Sequence, residues 1–215
     1  MLERMGEFFD NRVSGYDEHM LSEIEGAKEF YPFTASQLPQ GKAKVLDLGC
    51  GTGLELEYYL SSNPQSEITG VDLAPEMLKA LENKLSGKNI KLILGSYFDV
   101  PFGEKIYDAA VSVESLHHFT KAEKIPLYKK LRNALKDGGY FILTDYFAAT
   151  EADERFFRSE LVRLKREQEI DDGEFYHYDT PRTVQNETDA LLEAGFSKVE
   201  ALSFWGATHT LKAIK

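Results

Sequence analysis

Short apolar runs alternate with longer stretches of helical spacing along most of the chain. The apolar runs lie at 44–48, 67–71, 90–94, 107–113 and 140–144. Each run is almost continuously apolar, which is typical of strands that are covered on both faces. Strands that alternate with crossover helices form a parallel sheet. The pattern therefore predicts an α/β fold with five parallel strands.

Three stretches between and after these runs have the spacing of helices. The first begins at Pro75, a residue that suits the first turn of a helix, and has leucine at 78, 81 and 85. The second spans 121–136, with Gly138 and Gly139 as its stop signal, and the third spans 184–194 and is ended by Gly195. Two further strands, at 198–205 and 208–214, are joined by two residues. A connection that short predicts an antiparallel pair.

Two segments stand outside this alternation. Residues 1–43 have a mixed, aromatic helical pattern, and residues 147–180 follow the fifth strand with a charged amphipathic helix and an acidic, tyrosine-rich loop at 171–179. The helix is predicted to turn Phe156, Phe157, Leu161 and Leu164 inward. Ligands of an open parallel sheet bind beyond the carboxyl ends of its strands, where inserted segments cover them. We therefore interpret both segments as a lid.

The length of 215 residues favours one domain over residues 1–215. Its predicted parts are a helical cover at 1–43, a ligand-binding core at 44–146, a lid insertion at 147–180, and a helix with a hairpin at 181–215. No apolar run approaches the roughly 18–20 residues that a membrane crossing needs. The acidic start of the chain also lacks the features of a signal peptide. We therefore expect a soluble protein with no membrane partner.

The composition narrows the partners and the compartment. The chain has 25 Lys and Arg against 36 Asp and Glu, a net charge of −11, which disfavours nucleic acid and anionic lipid surfaces as partners. The single cysteine, Cys50, excludes an intramolecular disulfide and fits a reducing compartment, so we expect a cytoplasmic location. The oligomeric state is not determined by the sequence.

A glycine-rich turn follows the first strand in the sequence VLDLGCGTG at 45–53. Gly49, Gly51 and Gly53 allow a tight turn and a close approach of the backbone to a ligand. The spacing is GxGxG, whereas a dinucleotide site requires GxGxxG. Glu55 and Glu57 would also repel a phosphate in the first turn of the next helix. The turn therefore favours a ligand without phosphate.

Three carboxylates follow the ends of predicted strands. Asp72 comes 21 residues after Gly51, a separation at which an acidic side chain binds the hydroxyls of a ribose. Asp47 lies at the end of the first strand and Glu114 at the end of the fourth. This acidic rim favours a cationic ligand that bears an amine. The residues together predict a site for a positively charged adenosine derivative.

Five segments resemble the class I S-adenosylmethionine-dependent methyltransferases in order and spacing. They are VLDLGCGTG at 45–53, VDLAPEML at 71–78, GSYFDVPF at 95–102, YDAAVSVESLHHF at 107–119 and LRNALKDGGYFILTDY at 131–146. The resemblance implies a Rossmann-like, doubly wound sheet of seven strands with the last strand antiparallel. It also implies S-adenosyl-L-methionine as the cofactor and S-adenosyl-L-homocysteine as the product.

The resemblance assigns roles to residues along the cofactor. The backbone of Gly49, Cys50 and Gly51 would approach the methionine part, Asp47 would hold its ammonium group, and Asp72 would bind the ribose. The other cofactor residues that it implies are Leu73 and Met77 against the adenine, Ser96 and Tyr97 at its edge, Tyr16 as a cover, Arg12 at the carboxylate, and Glu114 at the rim. Many relatives have an acidic residue at the position of Ser96, so this chain departs from the family pattern there.

Candidates for the catalytic base are His118, Tyr146 and His177, should the acceptor have to lose a proton. We expect no metal ion, because His117 and His118 are adjacent in sequence and no carboxylate accompanies them at a matching spacing. The sequence does not identify the acceptor, and a small molecule is favoured by the negative net charge.

Three alternatives remain beside this interpretation. A nicotinamide-dependent oxidoreductase is disfavoured by the glycine spacing. An RNA-modifying methyltransferase would use a basic strip in the insertion, whose residues are Arg155, Arg158, Arg163, Lys165 and Arg166, although such charges more often form a solvated helix face. A non-catalytic partner protein that binds S-adenosylmethionine would keep the cofactor site without the acceptor chemistry.

Overall fold

The computed structural model describes residues 1–170 and 173–215, so positions 171 and 172 of the acidic loop lie outside the described residues. The strands are β1 (Lys44–Leu48), β2 (Glu67–Asp72), β3 (Ile90–Leu94), β4 (Tyr107–Val113), β5 (Leu135–Tyr146), β6 (Lys198–Trp205) and β7 (Thr208–Ile214). In this part of the chain they form one seven-stranded sheet in the order β3-β2-β1-β4-β5-β7-β6. The first five strands are parallel, and β7 is antiparallel to both β5 and β6. The predicted fold class is confirmed.

Helices cover both faces of the sheet. They are α1 (Met5–Asp10), α2 (Tyr16–Glu23), α3 (Ala27–Ser36), α4 (Leu54–Ser62), α5 (Pro75–Lys84), α6 (Lys121–Ala134), α7 (Glu151–Glu167) and α8 (Val184–Glu193), with short 3-10 helices at Val13–Gly15 and Leu116–His118. The helix predicted to run to residue 136 ends at Ala134, because Leu135 already has extended backbone angles and begins β5. Among the described residues, no helix combines the length and the apolar character needed to cross a membrane.

Two apolar clusters bury the sheet, one on each face. On one face, Leu46 and Phe141 pack with residues of α6 and α8 such as Leu131 and Leu191. On the other face, Val45 and neighbouring strand residues pack with α3, α4 and α5. Adjacent residues of a strand point to opposite faces, so a strand covered by both layers reads as an unbroken apolar run. This arrangement explains the sequence pattern and leaves the carboxyl ends of the strands free to form a site.

The N-terminal segment and the insertion meet above these carboxyl ends. The Met5 N–H donates to the Phe175 carbonyl at 2.9 Å, and the His177 N–H donates to the Glu3 carbonyl at 3.0 Å. Arg4 and Tyr176 form an antiparallel bridge between the same segments. The two segments interpreted as a lid from the sequence are thus joined by backbone hydrogen bonds.

The long helix of the insertion packs less deeply than its pattern predicts. No residue of α7 is fully buried, and Phe156, which was predicted to point inward, is 59% exposed. Phe157, Leu161 and Leu164 are half-buried. The prediction for Phe156 is wrong because α7 lies on the surface with only a narrow stripe against the rest of the chain. The amphipathic spacing of α7 therefore indicates a face that is only partly covered by the rest of the chain.

Candidate active site

The glycine turn joins the end of β1 to the start of α4. Gly49, Gly51 and Gly53 all have positive φ angles, of 73°, 47° and 74°, which favour glycine. The Gly49 N–H donates to the Val71 carbonyl at 2.8 Å and ties the turn to β2. A side chain at Gly49 would overlap Ser115, whereas one at Gly51 would meet nothing within 4 Å. The turn therefore packs tightly at Gly49 and faces an open cleft at Gly51.

The carboxylate of Asp72 lies at the end of β2 and is held by two backbone groups. The Gly51 N–H donates to its Oδ2 at 2.8 Å, and the Ala74 N–H donates to its Oδ1 at 2.9 Å. Burial raises the pKa of Asp72, and these N–H groups act in the opposite direction by stabilising the charge. Each carboxylate oxygen still has a second lone pair with which to accept a bond from a ligand.

A narrow cavity of about 50 Å³ lies beside this turn. Its lining residues are Met5, Phe9, Tyr16, Gly49, Gly51, Asp72, Leu73, Met77, Tyr97, Val113, Glu114 and Ser115. Small-molecule sites usually enclose about 300–1,000 Å³. Met5, Phe9 and Tyr16 come from the N-terminal segment, so this segment closes over the strand ends and narrows the cavity. We call this space the strand-end cavity.

Asp47 is buried in β1 close to the turn, and its carboxylate is unpaired. Its side chain is fully buried, and neither oxygen has a hydrogen-bond partner among the residues that the structure describes. Burial raises the pKa of Asp47 well above its usual value, and the nearby Glu55 carboxylate raises it further. An unpaired buried carboxyl is costly and calls for a positively charged or donor partner.

Several predicted cofactor residues lie outside the lining of the strand-end cavity. Arg12 pairs with Glu3 at 2.8 Å, and its guanidinium lies 3.7 Å from the centre of the Phe8 ring. The Ser96 hydroxyl accepts a bond from the Phe98 N–H at 3.1 Å. Cys50 is buried, and burial raises the pKa of its thiol. The cofactor roles implied for these residues stay predictions.

A second, larger cavity of about 580 Å³ adjoins the first. Its lining residues are Phe8, Phe9, Arg12, Ser14, Gly15, Tyr16, His19, Met20, Ile24, Glu114, His117, His118, His177 and Asp179. Phe9, Tyr16 and Glu114 line both cavities. The volume falls within the range of about 300–1,000 Å³ that is usual for small-molecule sites. We call this space the histidine cavity.

His117 lies at the floor of the histidine cavity between two carboxylates. Its Nδ1 is 2.6 Å from Asp145 Oδ1, and its Nε2 is 3.4 Å from Asp179 Oδ1. Burial acts to lower the pKa of His117, but the Asp145 and Asp179 carboxylates outweigh it and hold this pKa well above the usual value. The pKa of Asp179 shifts in the opposite direction: burial acts to raise it, but the neighbouring histidines outweigh burial and lower it.

The three predicted base candidates lie near this pair in different settings. The His118 Nδ1 is 3.2 Å from the Tyr178 carbonyl, and burial together with His117 lowers the pKa of His118. The ring of His177 stacks on Phe8 with 3.5 Å between ring centres, and burial lowers its pKa. Tyr146 lines an adjoining space with Glu114, His117 and Asp179. Burial raises the pKa of Tyr146 and keeps its phenol protonated.

Glu114 connects the two cavities and has a strained backbone. Its φ angle of 48° is unusual for a residue other than glycine. The Thr208 hydroxyl donates to Glu114 Oε1 at 2.9 Å, and burial raises the pKa of Glu114 to about 7. Such strain persists where the surrounding structure fixes a residue for function. Sequence reasoning placed Glu114 at the rim from its position at the end of a strand.

Sequence reasoning missed three polar residues of the site. Ser115 directly follows Glu114 and lines the strand-end cavity. Asp145 is the penultimate residue of β5, so the rule that ligands bind beyond strand ends could have indicated it. Asp179 is separated by 61 residues from His118 in the sequence and carries no local signal. Only folding of the insertion brings it to the histidines.

Comparisons with known proteins identify relatives of this fold. Residues 45–139 match the family model of a methyltransferase domain. The chain is 28% identical over 117 residues to the fatty-acid O-methyltransferase of Mycolicibacterium smegmatis, covering 54% of this chain and 42% of the relative. It is 30% identical over 115 residues to the tRNA (carboxymethyluridine(34)-5-O)-methyltransferase of Arabidopsis thaliana. This match covers 53% of this chain and 26% of the relative. The chain thus spans less than half the length of both relatives.

A solved structure extends the likeness to nearly the whole chain. The phosphoethanolamine N-methyltransferase 2 of Haemonchus contortus, in complex with S-adenosyl-L-methionine, superposes with a TM-score of 0.70 at 16% identity. The superposition covers 93% of this chain and 44% of that one. At this identity the similarity concerns the fold alone.

The sheet order, the glycine turn and the carboxylate at the end of β2 define a Rossmann-like protein that binds a nucleoside cofactor. With the domain match over residues 45–139, they show that this part of the chain is a methyltransferase domain similar to those of the class I S-adenosylmethionine-dependent methyltransferases. The cofactor of that family fits the residues present. Asp47 offers an unpaired buried carboxyl to its ammonium group, and Gly51 leaves open space in the cleft.

Proposed function

We propose that this chain is an S-adenosylmethionine-dependent methyltransferase whose acceptor is a small molecule held in the histidine cavity. The observation that carries the proposal is the contact between the two cavities, which share Phe9, Tyr16 and Glu114 as lining residues. A methyl donor on one side of these residues and an acceptor on the other would lie side by side. Alignment of two reactants in this way is a major source of rate enhancement.

The chain's own groups support binding of the cofactor in the strand-end cavity. Asp72 would accept hydrogen bonds from the ribose hydroxyls, and Asp47 would balance the charge of the ammonium group. Leu73 and Met77 would pack against the adenine, since both line the cavity. When bound, S-adenosylmethionine supplies a methyl group activated by the positive charge on its sulfur.

The N-terminal segment must move outward to admit the cofactor. The strand-end cavity of about 50 Å³ is much smaller than the roughly 300 Å³ at the lower end of ligand sites. Met5, Phe9 and Tyr16 narrow it, and the segment is tied to the insertion by the hydrogen bonds of Met5 and His177. Opening would break these few bonds, and closure would exclude water from the site.

His177 is the best placed of the three base candidates. It lines the histidine cavity, is held by stacking on Phe8, and is neutral at neutral pH because burial lowers its pKa. A neutral imidazole can accept a proton from the acceptor. Tyr146 stays protonated and would instead donate a hydrogen bond. His118 already faces the Tyr178 carbonyl and Asp179.

The lining and the surface charge support a small-molecule acceptor. The histidine cavity combines aromatic walls with a few converging polar groups, as small-molecule sites do. The basic strip of α7 is partly neutralised within the helix, because Arg163 pairs with Glu160 at 2.9 Å and with Glu167 at 2.7 Å. Arg155 pairs with Glu151 at 3.4 Å. The named relatives act on a fatty acid and on a tRNA, so they do not decide the acceptor class.

The test is release of S-adenosylhomocysteine by the purified full chain, measured by mass spectrometry with two acceptor panels. One panel contains small hydroxyl, amine and carboxylate compounds, and the other contains unmodified tRNA. The His177→Gln variant is expected to lose about 10²–10⁴-fold in turnover while keeping its affinity for S-adenosylhomocysteine. His209→Gln is the matched control, because that imidazole lies on β7 against Phe147 and Phe204, outside the lining of both cavities.

Each outcome decides between the alternatives. Product released only with the small-molecule panel supports the proposal, and product released only with tRNA overturns the acceptor class. Tight binding of S-adenosylhomocysteine without product from either panel would identify a non-catalytic binding protein. Binding of NADH in place of S-adenosylhomocysteine would overturn the cofactor as well.

A further inference from the structure

Three donor groups meet at the floor of the histidine cavity. His117, His118 and Asp179 each contribute one nitrogen or oxygen, and these atoms lie within 4.8 Å of one another. The His117 Nε2 and the His118 Nδ1 are each 3.4 Å from Asp179 Oδ1. Both separations exceed the usual range of about 2.7–3.2 Å for a hydrogen bond to oxygen. Direct hydrogen bonding therefore accounts poorly for the arrangement.

The same separations fit two ligands of one tetrahedral metal ion. Zinc bonds to histidine nitrogen and carboxylate oxygen measure about 2.0–2.2 Å, which places neighbouring tetrahedral ligands about 3.4 Å apart. The distances from Asp179 to His117 and to His118 match this value without movement of the side chains. The contact of 2.6 Å between His117 and Asp145 is too short for two ligands of one ion. His117 Nδ1 and Asp145 Oδ1 form a hydrogen bond and do not bind the same ion.

Asp145 orients His117 for a metal ion. It is almost fully buried, and its Oδ1 accepts a bond from the Tyr146 N–H at 3.1 Å, which fixes the carboxylate. Since a carboxylate accepts, Nδ1 of His117 keeps its proton toward Asp145, and Nε2, which faces Asp179, releases its proton when an ion binds. Histidine ligands of metals are commonly held in this way by a carboxylate behind the ring.

The charge and the exposure of the site also suit a cation. Glu114, Asp145 and Asp179 surround the His117 ring, with Glu114 4.0 Å from its Nδ1. The Asp179 side chain is 46% exposed, so an ion bound to it would keep a position open toward the histidine cavity. A site with three protein ligands and one open position is typical of catalytic metal centres.

We propose that His117 Nε2, His118 Nδ1 and Asp179 Oδ1 bind one divalent first-row transition metal ion, for which Zn²⁺ fits best. Two imidazoles and one carboxylate suit zinc, and manganese, iron or cobalt are the alternatives for such a donor set. When the ion binds, the His117 imidazolium releases its Nε2 proton to solvent, and neutral His118 changes tautomer: Nδ1 gives up the proton that it donates to the Tyr178 carbonyl, and Nε2 of the same ring takes one up. Binding of the ion is independent of the proposed function.

The role of the ion rests on the proposed function. Its open position faces the cavity that holds the acceptor, so the ion would hold an acceptor oxygen as an alkoxide, phenolate or carboxylate. This assigns the acceptor to molecules that present oxygen for methylation. The ion would also join the insertion to the sheet, because Asp179 belongs to the first and the two histidines follow β4. The sequence predicted no metal because Asp179, the carboxylate of the cluster, is distant from His117 and His118 along the chain.

The test uses the full chain after chelator treatment and dialysis, with Zn²⁺ and Co²⁺ as probes and no cofactor present. We expect one Zn²⁺ per chain by calorimetry and an intense visible absorption with Co²⁺, which marks four-coordinate geometry. Asp179→Asn is the first variant, since its side chain is partly exposed and the change preserves shape. It should weaken Zn²⁺ binding about 100-fold or more. Asp145→Asn, which acts through His117, should weaken it by about 10–100-fold.

His19→Gln is the matched control for the loss of an imidazole from the same cavity, because His19 lies on α2 outside the three-residue cluster. Its Zn²⁺ affinity should equal that of the wild type. Circular dichroism checks that each variant is folded, and the Co²⁺ spectrum of the wild type is informative even if a variant unfolds. Absence of saturable binding, a six-coordinate Co²⁺ spectrum, or equal affinity in a folded Asp179→Asn variant would overturn the proposal. Intact S-adenosylhomocysteine binding without metal binding would leave the proposed function standing.

Discussion

The backbone N–H of Gly51 donates a hydrogen bond of 2.8 Å to Asp72 Oδ2, which joins the glycine turn after β1 to the end of β2. The bond connects the two features from which the sequence predicted a nucleoside site. It also means that Asp72 has a structural part besides its proposed contact with a ribose, because the same carboxylate accepts the Ala74 N–H. Substitutions at Asp72 should therefore affect both binding and the turn.

Replacing Asp72 by alanine is expected to weaken S-adenosylhomocysteine binding about 100-fold. The variant loses the acceptor for the ribose hydroxyls and releases the N–H groups that hold the turn, and hydrogen bonds to a charged group contribute about 1.5–3 kcal/mol. Isothermal titration calorimetry measures the change. Asp137→Ala serves as the control, since Asp137 is exposed and pairs with Lys105 away from the turn. Equal affinity in Asp72→Ala and wild type would contradict the assignment.

Alanine at Gly51 and alanine at Gly49 should have different effects. At Gly51 the added methyl group meets no atom within 4 Å but enters the cleft, so the variant should fold and bind S-adenosylhomocysteine at least about 10-fold more weakly. At Gly49 the methyl group overlaps Ser115, which should lower the free energy of unfolding by about 1–3 kcal/mol. Both positions also have positive φ angles, at a cost of about 1–2 kcal/mol for alanine.

Urea denaturation and calorimetry together separate the two effects. A Gly51→Ala chain that folds and binds like the wild type would show that the cleft beside the turn does not receive the ligand. A Gly49→Ala chain of wild-type stability would show that Ser115 can move away at little cost.

More of the fold than of the site could be predicted from the sequence. The strands are encoded by neighbouring residues, whereas the site brings together residues that are far apart along the chain. Residues 44–48, 90–94, 107–113, 198–205 and 208–214 were predicted as strands with the bounds that the structure has, because an apolar run between two layers is a local signal. Gly49 and Asp72 were also predicted from a local signal, because each lies at the end of a predicted strand. The pairing of His117 with Asp145 and Asp179 depends on chain folding across 28 and 62 residues, and no pattern within one element encodes it. Phe156 was misjudged because periodicity indicates a face without indicating how deeply it packs.

Removal of Glu187 is expected to destabilise the interface of α6 and α8 strongly. Lys124 Nζ donates to Glu187 Oε2 at 2.9 Å, the Tyr128 hydroxyl donates to Oε1, and both side chains of the ion pair are almost fully buried. Glu187→Leu would leave the Lys124 ammonium buried without its carboxylate, and breaking a buried pair costs about 3–5 kcal/mol. Guanidinium denaturation measures the loss. The matched control is Glu193→Leu, since Glu193 pairs with Lys121 on the exposed side of the same two helices.

A loss below about 1 kcal/mol in Glu187→Leu, similar to that of an exposed pair, would contradict this account. Substitution of both partners, as Lys124→Met with Glu187→Leu, should recover part of the stability because the buried Lys124 charge is then removed, and not all of it because Arg182 Nη1, which lies 3.7 Å from Glu187 Oε2, still loses that partner. A double variant less stable than Glu187→Leu alone would argue that the aliphatic stem of Lys124 matters more than its charge.

Asp47→Asn is expected to make the cofactor-free chain more stable at pH 8 while it weakens cofactor binding. Burial and Glu55 raise the pKa of Asp47 well above its usual value, so the folded chain holds this proton at pH values where the unfolded chain releases it. Stability from this group is complete below about pH 4 and declines as the pH rises through the raised pKa. Asparagine carries no charge and does not titrate. The gain at pH 8 should be about 1–3 kcal/mol, the cost of an unpaired buried polar group.

The same variant should bind S-adenosylhomocysteine about 10–100-fold more weakly, because the ammonium group loses its buried anionic partner. Urea denaturation at pH 4 and pH 8 measures the stability, and the difference between Asp47→Asn and wild type should nearly vanish at pH 4. Glu57→Gln makes the same change of acid to amide at an exposed position of α4 and should show neither effect. An Asp47→Asn chain that gains equal stability at both pH values would disprove the titration of Asp47 as the cause. Unchanged ligand affinity would instead show that the unpaired carboxyl of Asp47 is not kept for the ammonium group, and its cost to folding would need another explanation.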